Sequence, residues 1–205
     1  MSFEAVKDVA TLEELYGVPG QASQVKVAHS LTAEYRALIE ASPFFALATA
    51  GPEGLDCSPR GELGGAFVIY DDKTIIIPDR RGNNRMDSLR NIVRNPEIAM
   101  LFLIPGSLTT IRLNGTAIVT TDEKLLKSME RDGKLPRSAV VVSLREIYTQ
   151  CGRAVLRAGL WDPETYVDPA AIPSTGDVLK AQTQGAFEGK AYDEEWAGRA
   201  EKTMW

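Results

Sequence analysis

A chain of 205 residues with 44% hydrophobic and 25% charged content has the make-up of a soluble globular protein with one real core and room for an appendage. Its net charge of −5 argues against a general nucleic-acid binder, and the lack of any run of about 18 apolar residues argues against a membrane span. The opening Met1-Ser2-Phe3-Glu4-Ala5 has no secretory character, and two cysteines, Cys57 and Cys151, make no disulfide framework, so reduced thiols in the cytoplasm are expected.

The first forty residues read as helical. Thr11–Tyr16 forms a helical run that Gly17-Val18-Pro19-Gly20 ends. Leu31, Tyr35, Leu38 and Ile39 recur at helical spacing behind Thr32, a candidate N-cap, and Ser42-Pro43 closes the segment. This helix is expected to lie on the main body.

At Phe44 the period changes. Phe44–Thr49 and Leu55–Gly61 read as strands joined by the turn Gly51-Pro52-Glu53-Gly54. Ala66–Tyr70 and Thr74–Ile77 form the next hairpin. Asn83–Val93 reads as a helix with Met86, Leu89, Ile92 and Val93 on its inner face, ended by Asn95-Pro96. Ile98–Ile104 is a buried strand and Thr109–Thr121 a longer one. A short helix opens at Asp122, and Ser138–Leu144 resumes the sheet. Beyond Gly159-Leu160-Trp161-Asp162-Pro163 strand signals stop, and helices are expected near Val178–Gln182 and Glu194–Lys202. Six or seven strands interrupted by one helix predict a mainly β barrel, not a parallel α/β sheet. The expected organisation is an N-terminal helical segment over 1–43, a barrel over 44–162 and a C-terminal helical appendage over 163–205.

Basic residues are unevenly spread. Arg80, Arg81, Arg85, Arg90 and Arg94 crowd together in an acidic chain, with Arg60 upstream. Pro78-Asp79-Arg80-Arg81-Gly82-Asn83-Asn84-Arg85 joins a strand to a helix, whose N-terminus suits an anion. Guanidinium groups there add donors that match phosphate oxygens. Asn83 and Asn84 are candidate caps or further donors. The competing reading is a solvated basic turn, yet arginines at a helix start oppose its dipole and gain little without a ligand. In Asp56-Cys57-Ser58-Pro59-Arg60-Gly61-Glu62, Pro and Gly loosen the end of a strand and free backbone groups to meet a planar polar ring edge. An ordinary bend in an edge strand explains the same residues equally well.

Phe44–Gly61, Pro78–Arg85 with Asp87-Ser88-Leu89, the strand Thr110–Ala117, and Leu156–Pro163 together resemble the pyridoxamine-5′-phosphate-oxidase-like FMN-binding superfamily. The likeness runs over about residues 30–165 and extends to a subgroup of uncharacterised bacterial flavoproteins with a similar Ser-Pro-Arg-Gly segment. It implies a six-stranded split β-barrel and a homodimer with two FMN sites at the subunit interface. Position by position, it implies that Ser58, Pro59, Arg60 and Gly61 run along the isoalloxazine and ribityl chain. Pro78 and Asp79 would lie under the ring. Asn84 and Arg85 would hold the phosphate, with Arg81 as helper. Thr110 would reach the flavin from the second subunit, and Trp161 would sit near the ring edge.

One departure stands out. Pyridoxamine-phosphate oxidases proper carry a C-terminal Arg-x-His that grips the substrate, whereas the only histidine here is His29, read as a surface or helix-start residue. Oxidation of pyridoxamine phosphate is therefore not expected. Cys57 reads as a small buried hydrophobe and the tryptophans as packing residues, with only Trp161 near a cofactor. No Cys/His spacing suits zinc, no glycine-rich nucleotide motif is present, and Ser58 lacks a His/Asp partner for hydrolysis. The reading is an FMN-dependent oxidoreductase acting on an unidentified small molecule. The alternatives are a flavin carrier or redox sensor without turnover, and a deazaflavin-dependent reductase.

Overall fold

The computed structural model describes residues 2–205. Helix α1 (Val9–Tyr16) is opened by the Asp8 carboxylate, which accepts from Thr11 N–H at 2.8 Å, and closed by Gly17 at φ +70°. It buries no residue. A short helix, α2 (Gln21–Val25), follows within the stretch read as helical, although no apolar periodicity marks its bounds. Helix α3 (Ala33–Glu40) is capped by Thr32, whose hydroxyl accepts from Tyr35 N–H at 3.3 Å. Leu31 and Ile39 drop into the main core, so this helix does lie on the body as expected.

The body is one antiparallel sheet of seven strands: β1 (Phe44–Gly51), β2 (Gly54–Gly61), β3 (Val68–Ile69), β4 (Thr74–Asp79), β5 (Glu97–Leu103), β6 (Thr110–Thr120) and β7 (Ser138–Gln150). Their order is β2-β1-β5-β6-β7-β4-β3, with β2 and β3 as edges. The resemblance implied six strands; the seventh is the two-residue β3 against β4. Helix α4 (Asp87–Arg94) connects β4 to β5 and packs on β1, β2 and β6.

Alternation of apolar residues builds the interior. Phe45, Leu47, Met100, Phe102, Ile111, Leu113, Ile75, Ile77, Val140, Val142 and Ile147 form one cluster. The rings of Phe45, Phe67 and Phe102 meet at 5.3–6.0 Å centroid separations. In a flat sheet β2 and β4, five ladders apart, would stand about 24 Å from each other. Here Arg80, directly after β4, binds Glu62, directly after β2, at 3.0 Å. The sheet has therefore curled into a split barrel, with α4 seated in the opening.

Three expectations are corrected. Strand β7 runs to Gln150, not Leu144, because the register slips between Asn114 and Gly115. This bulge takes up one residue at Arg145, so Ile147 returns to the core in spite of the broken alternation. Gly115 makes the bulge tight: a Cβ there would strike the Ser143 carbonyl oxygen. Helix α4 starts at Asp87, four residues later than Asn83, because Asn84 and Met86 both adopt φ +60°. Its inner face is also different, with Ser88, Asn91 and Ile92 buried while Met86 and Val93 are exposed.

Helices α5 (Glu123–Ser128) and α6 (Arg153–Arg157) flank β7 in sequence; α5 is capped by Asp122 and α6 was not foreseen. Two 3-10 turns, Pro163–Thr165 and Pro169–Ala171, precede α7 (Thr175–Gln182) and α8 (Gly189–Thr203). These last helices cross where Gly176 and Gly189 meet backbone to backbone, and a Cβ on either would run into the other's carbonyl. Asp193 locks the crossing by accepting from Ser174 Oγ at 2.5 Å and Gly176 N–H at 2.9 Å.

Candidate functional site

The split between β2 and β4 collects polar groups. On β2 the alternation turns Asp56, Ser58 and Arg60 inward, half-buried, and leaves Leu55, Cys57, Pro59 and Gly61 outward. Pro59 is tolerated because β2 is an edge. Cys57 is exposed, which corrects its reading as a buried hydrophobe: strand alternation, not polarity, decides its side. Trp196 is likewise 60% exposed and so is no packing residue within this chain.

Asp56 organises the seam. One carboxylate accepts from Ser58 Oγ at 3.0 Å and from Ser88 Oγ at 2.5 Å. Ser88 is 2% exposed, and its oxygen lies 3.5 Å from Arg60 Nη2. One turn further along α4, Asn91 Nδ2 donates to Thr49 Oγ1 at 3.1 Å and to the Gly54 carbonyl at 3.4 Å. Gly51 permits that approach, since a Cβ there would overlap the Asn91 amide. These bonds fix the helix against the β1–β2 hairpin and so fix where Arg60 stands.

Pro78 is buried and Asp79 half-buried at the end of β4, paired with Ala139 and Ser138. Burial pushes the Asp79 carboxyl above its ordinary value, while the nearby Arg60 and Arg137 pull against that rise. The Arg137 N–H donates to the Asp79 carbonyl at 3.1 Å, and its Nη1 donates to Asn84 Oδ1 at 2.7 Å. Asn84 therefore does not cap α4; it faces Arg137. Asn83 instead turns the loop, accepting from Arg85 N–H at 3.0 Å.

The arginines divide into two sets. Arg80 and Arg131 bind Glu62, Arg85 binds Asp87 with 78% of its side chain exposed, and Arg94 binds Glu53. Arg60, Arg81, Arg90 and Arg137 form no ion pair among the described residues, and of these Arg90 stands exposed on α4, away from the end of β4. Three guanidinium groups around one strand-loop-helix junction, held in no ion pair, have the donors to meet an anion with several oxygens. Arg80 adds a buried Nη1 with no acceptor.

Two of the expected site residues lie elsewhere in the chain. Thr110 is buried on the row Gly61–Phe44–Leu103–Thr110, three ladders or about 14 Å from Gly61. Trp161 donates from Nε1 to the Ser107 carbonyl at 2.7 Å, beside the β5–β6 turn. Within one chain neither makes a hydrogen bond to Arg60, Arg81, Asp79 or Asn84. A cleft of about 560 Å³, lined among others by Ser42, Pro43, Glu62, Gly65, Phe67 and Pro105, opens at the Gly61 end of β2. Sequence reasoning missed this cleft, and also Ser88, which looked like an ordinary helical serine, and Arg137, which belongs to no motif. Among the described residues no His, Cys, Asp and Glu cluster could hold a metal ion, and no helix is long and apolar enough to cross a membrane.

An antiparallel split barrel with an arginine-rich strand-to-helix junction defines the class. Residues 31–151 match the family model described as pyridoxamine 5′-phosphate oxidase, and the chain belongs to that family. No curated protein sequence matches it. Solved structures similar to it include HupZ of Group A Streptococcus, at 21% identity over 59% of this chain and 94% of that one, TM-score 0.49. General stress protein 26 of Bacillus anthracis is similar at 15% identity over 56% and 88%, TM-score 0.42. An FAD binding protein of Mycobacterium smegmatis is similar at 16% identity over 60% and 97%, TM-score 0.39.

Proposed function

We propose that the chain binds FMN in the split of its barrel and serves as an FMN-dependent oxidoreductase for a small molecule other than pyridoxamine phosphate. The observation that carries this reading is the set of unpaired guanidinium groups, Arg60, Arg81 and Arg137, at the junction of β4 and α4. Family membership supports the flavin. Bound FMN would supply the electron-transfer chemistry, and the protein would bind and orient it. Arg81, Arg137 and Asn84 hold the phosphate, with Arg85 joining if it leaves Asp87. Arg60, steadied through Ser88 and Asp56, places a positive charge along the ring and ribityl chain beside Ser58, Pro59 and Gly61. Pro78 and Asp79 support the ring from the end of β4. Thr110 and Trp161 bond to none of these residues within one chain, and their contact with the flavin is made from a second copy in a homodimer.

Denaturing the purified protein and identifying the released chromophore tests the cofactor. FMN is the expected result; a deazaflavin, or no chromophore together with no uptake of added FMN, rejects it. Incubation with pyridoxamine phosphate in air should give pyridoxal phosphate at less than about 0.1 per second, against the ~10 per second of a median enzyme. Faster turnover would mean that a grip for that substrate exists without the Arg-x-His pair.

A further inference from the structure

The stretches outside the family match are unlike the barrel. Helix α1 carries Val9, Leu12 and Tyr16 along one side with Leu15 beside them, and every one is exposed. Phe3 and Val6 continue the apolar character upstream, at 87% and 52% exposure. An eight-residue helix alone in water is too short to be stable, so a formed α1 needs a surface to lie on. Beyond the barrel, Tyr166, Val167, Ile172, Val178, Trp196 and Met204 are also exposed. The chain presents 14191 Å² to solvent. A compact monomer of its mass would present about 9,400 Å², so the surface is larger by about half. That excess is several times the ~800 Å² per partner of a standard stable interface.

Charge indicates what covers α1. Residues 31–151 hold equal numbers of acidic and basic side chains, so the whole net charge of −5 resides in the two flanks. Two acidic flanks repel each other. The outward face of α4 has the opposite character, with Met86, Arg90 and Val93 at i, i+4 and i+7, and Val93 75% exposed. Arg90 forms no ion pair among the described residues. Helix α1 has Glu13 and Glu14 next to its apolar side, Asp8 at its cap and no basic residue.

We infer that α1 of each molecule docks on the outward face of α4 of a second copy, setting Leu12 and its neighbours against Val93 and Glu13/Glu14 against Arg90. A reciprocal exchange is self-complementary and closes as a two-fold dimer. It also borders the arginine junction of one molecule with the flank of the other. The inference rests on the two-copy arrangement proposed above and adds the part that the terminal flank plays in it.

Sedimentation across a dilution series, with amide hydrogen exchange of residues 9–16, tests it on the full-length protein. Wild type should be a dimer whose α1 amides are protected and lose protection on dilution. Leu12→Asp with Leu15→Asp, or Val93→Asp, should raise the dissociation constant about tenfold or more, as for loss of an interface anchor. Glu13→Arg with Glu14→Arg should weaken the dimer, and adding Arg90→Glu should restore it. All these residues are exposed, and circular dichroism checks that the variants fold. A wild-type dimer whose dissociation constant and α1 exchange ignore every variant overturns the inference alone. A wild-type monomer overturns the two-copy arrangement with it, whatever FMN binding shows. Protection of α1 that persists in a monomer, or that appears only with lipid vesicles, assigns α1 another surface and also overturns it.

Discussion

The barrel and the flanks use similar residues to opposite effect. In β4 the run Ile75-Ile76-Ile77 is almost wholly buried, whereas in α1 Val9, Leu12 and Leu15 are 67%, 45% and 68% exposed. Local order is comparable: α1 has a side-chain N-cap and a glycine stop as clear as any in the chain. The difference teaches that capping and propensity can shape a helix while its stabilisation waits for a surface elsewhere.

Truncating the barrel core should give the largest effect. Phe102→Ala removes a fully buried ring that touches Phe45 and Phe67, and should cost about 3–5 kcal/mol in denaturant unfolding. Leu12→Ala, in protein diluted below its association range, should cost less than about 0.5 kcal/mol. Equal losses would break the contrast between the two regions.

A smaller effect is expected where the barrel is tight but polar. Gly115→Ala forces a methyl against the Ser143 carbonyl at the bulge and should cost about 1–3 kcal/mol. A neutral result would mean that β6 and β7 can part there without penalty. Asn91→Ala should follow at about 1–2 kcal/mol, since it leaves the buried Thr49 hydroxyl unpaired.

The smallest expected effect is electrostatic. Burial raises the folded-state value of Asp79 above the unfolded one, so the folded protein holds the proton more tightly. In the window just above the ordinary carboxylate range the native state binds more protons, and stability falls as pH rises through it. Asp79→Asn should remove that decline. The flavin-free variant should match wild type at pH of about 3 and melt higher at neutral pH. A variant that melts lower at neutral pH would show that the charge of Asp79 is needed by Arg60 and Arg137.

Much of the barrel was legible because strand alternation and turn residues are local signals. The Thr32 cap and the Gly17 stop were legible for the same reason. The register of α4 was not, because Met86 takes left-handed backbone that its propensity does not announce, two residues after Asn84, a type that tolerates it. Its inner face was misread because it is polar, and a search for apolar periodicity selects Met86 and Val93 over Ser88 and Asn91. The extension of β7 was hidden by a bulge. At the site, the arginine cluster was visible as a run in sequence. The separation of its members was not: it depends on which carboxylates the fold brings near, and the bonds from Ser88 to Asp56 and from Arg137 to Asn84 span 32 and 53 residues.

In the proposed function the unpaired arginines hold a phosphate. Titration of cofactor-free protein with FMN and with riboflavin, which lacks only the phosphate, addresses it directly. Wild type should take up one FMN per chain and bind riboflavin at least about tenfold more weakly, the loss of roughly 1.5–3 kcal/mol expected for hydrogen bonds to a charged group. Arg81→Ala with Arg137→Ala should bring the FMN affinity down to that of riboflavin and leave riboflavin unchanged. Equal affinity of wild type for the two ligands, or an equal loss of both in the variant, would contradict the claim.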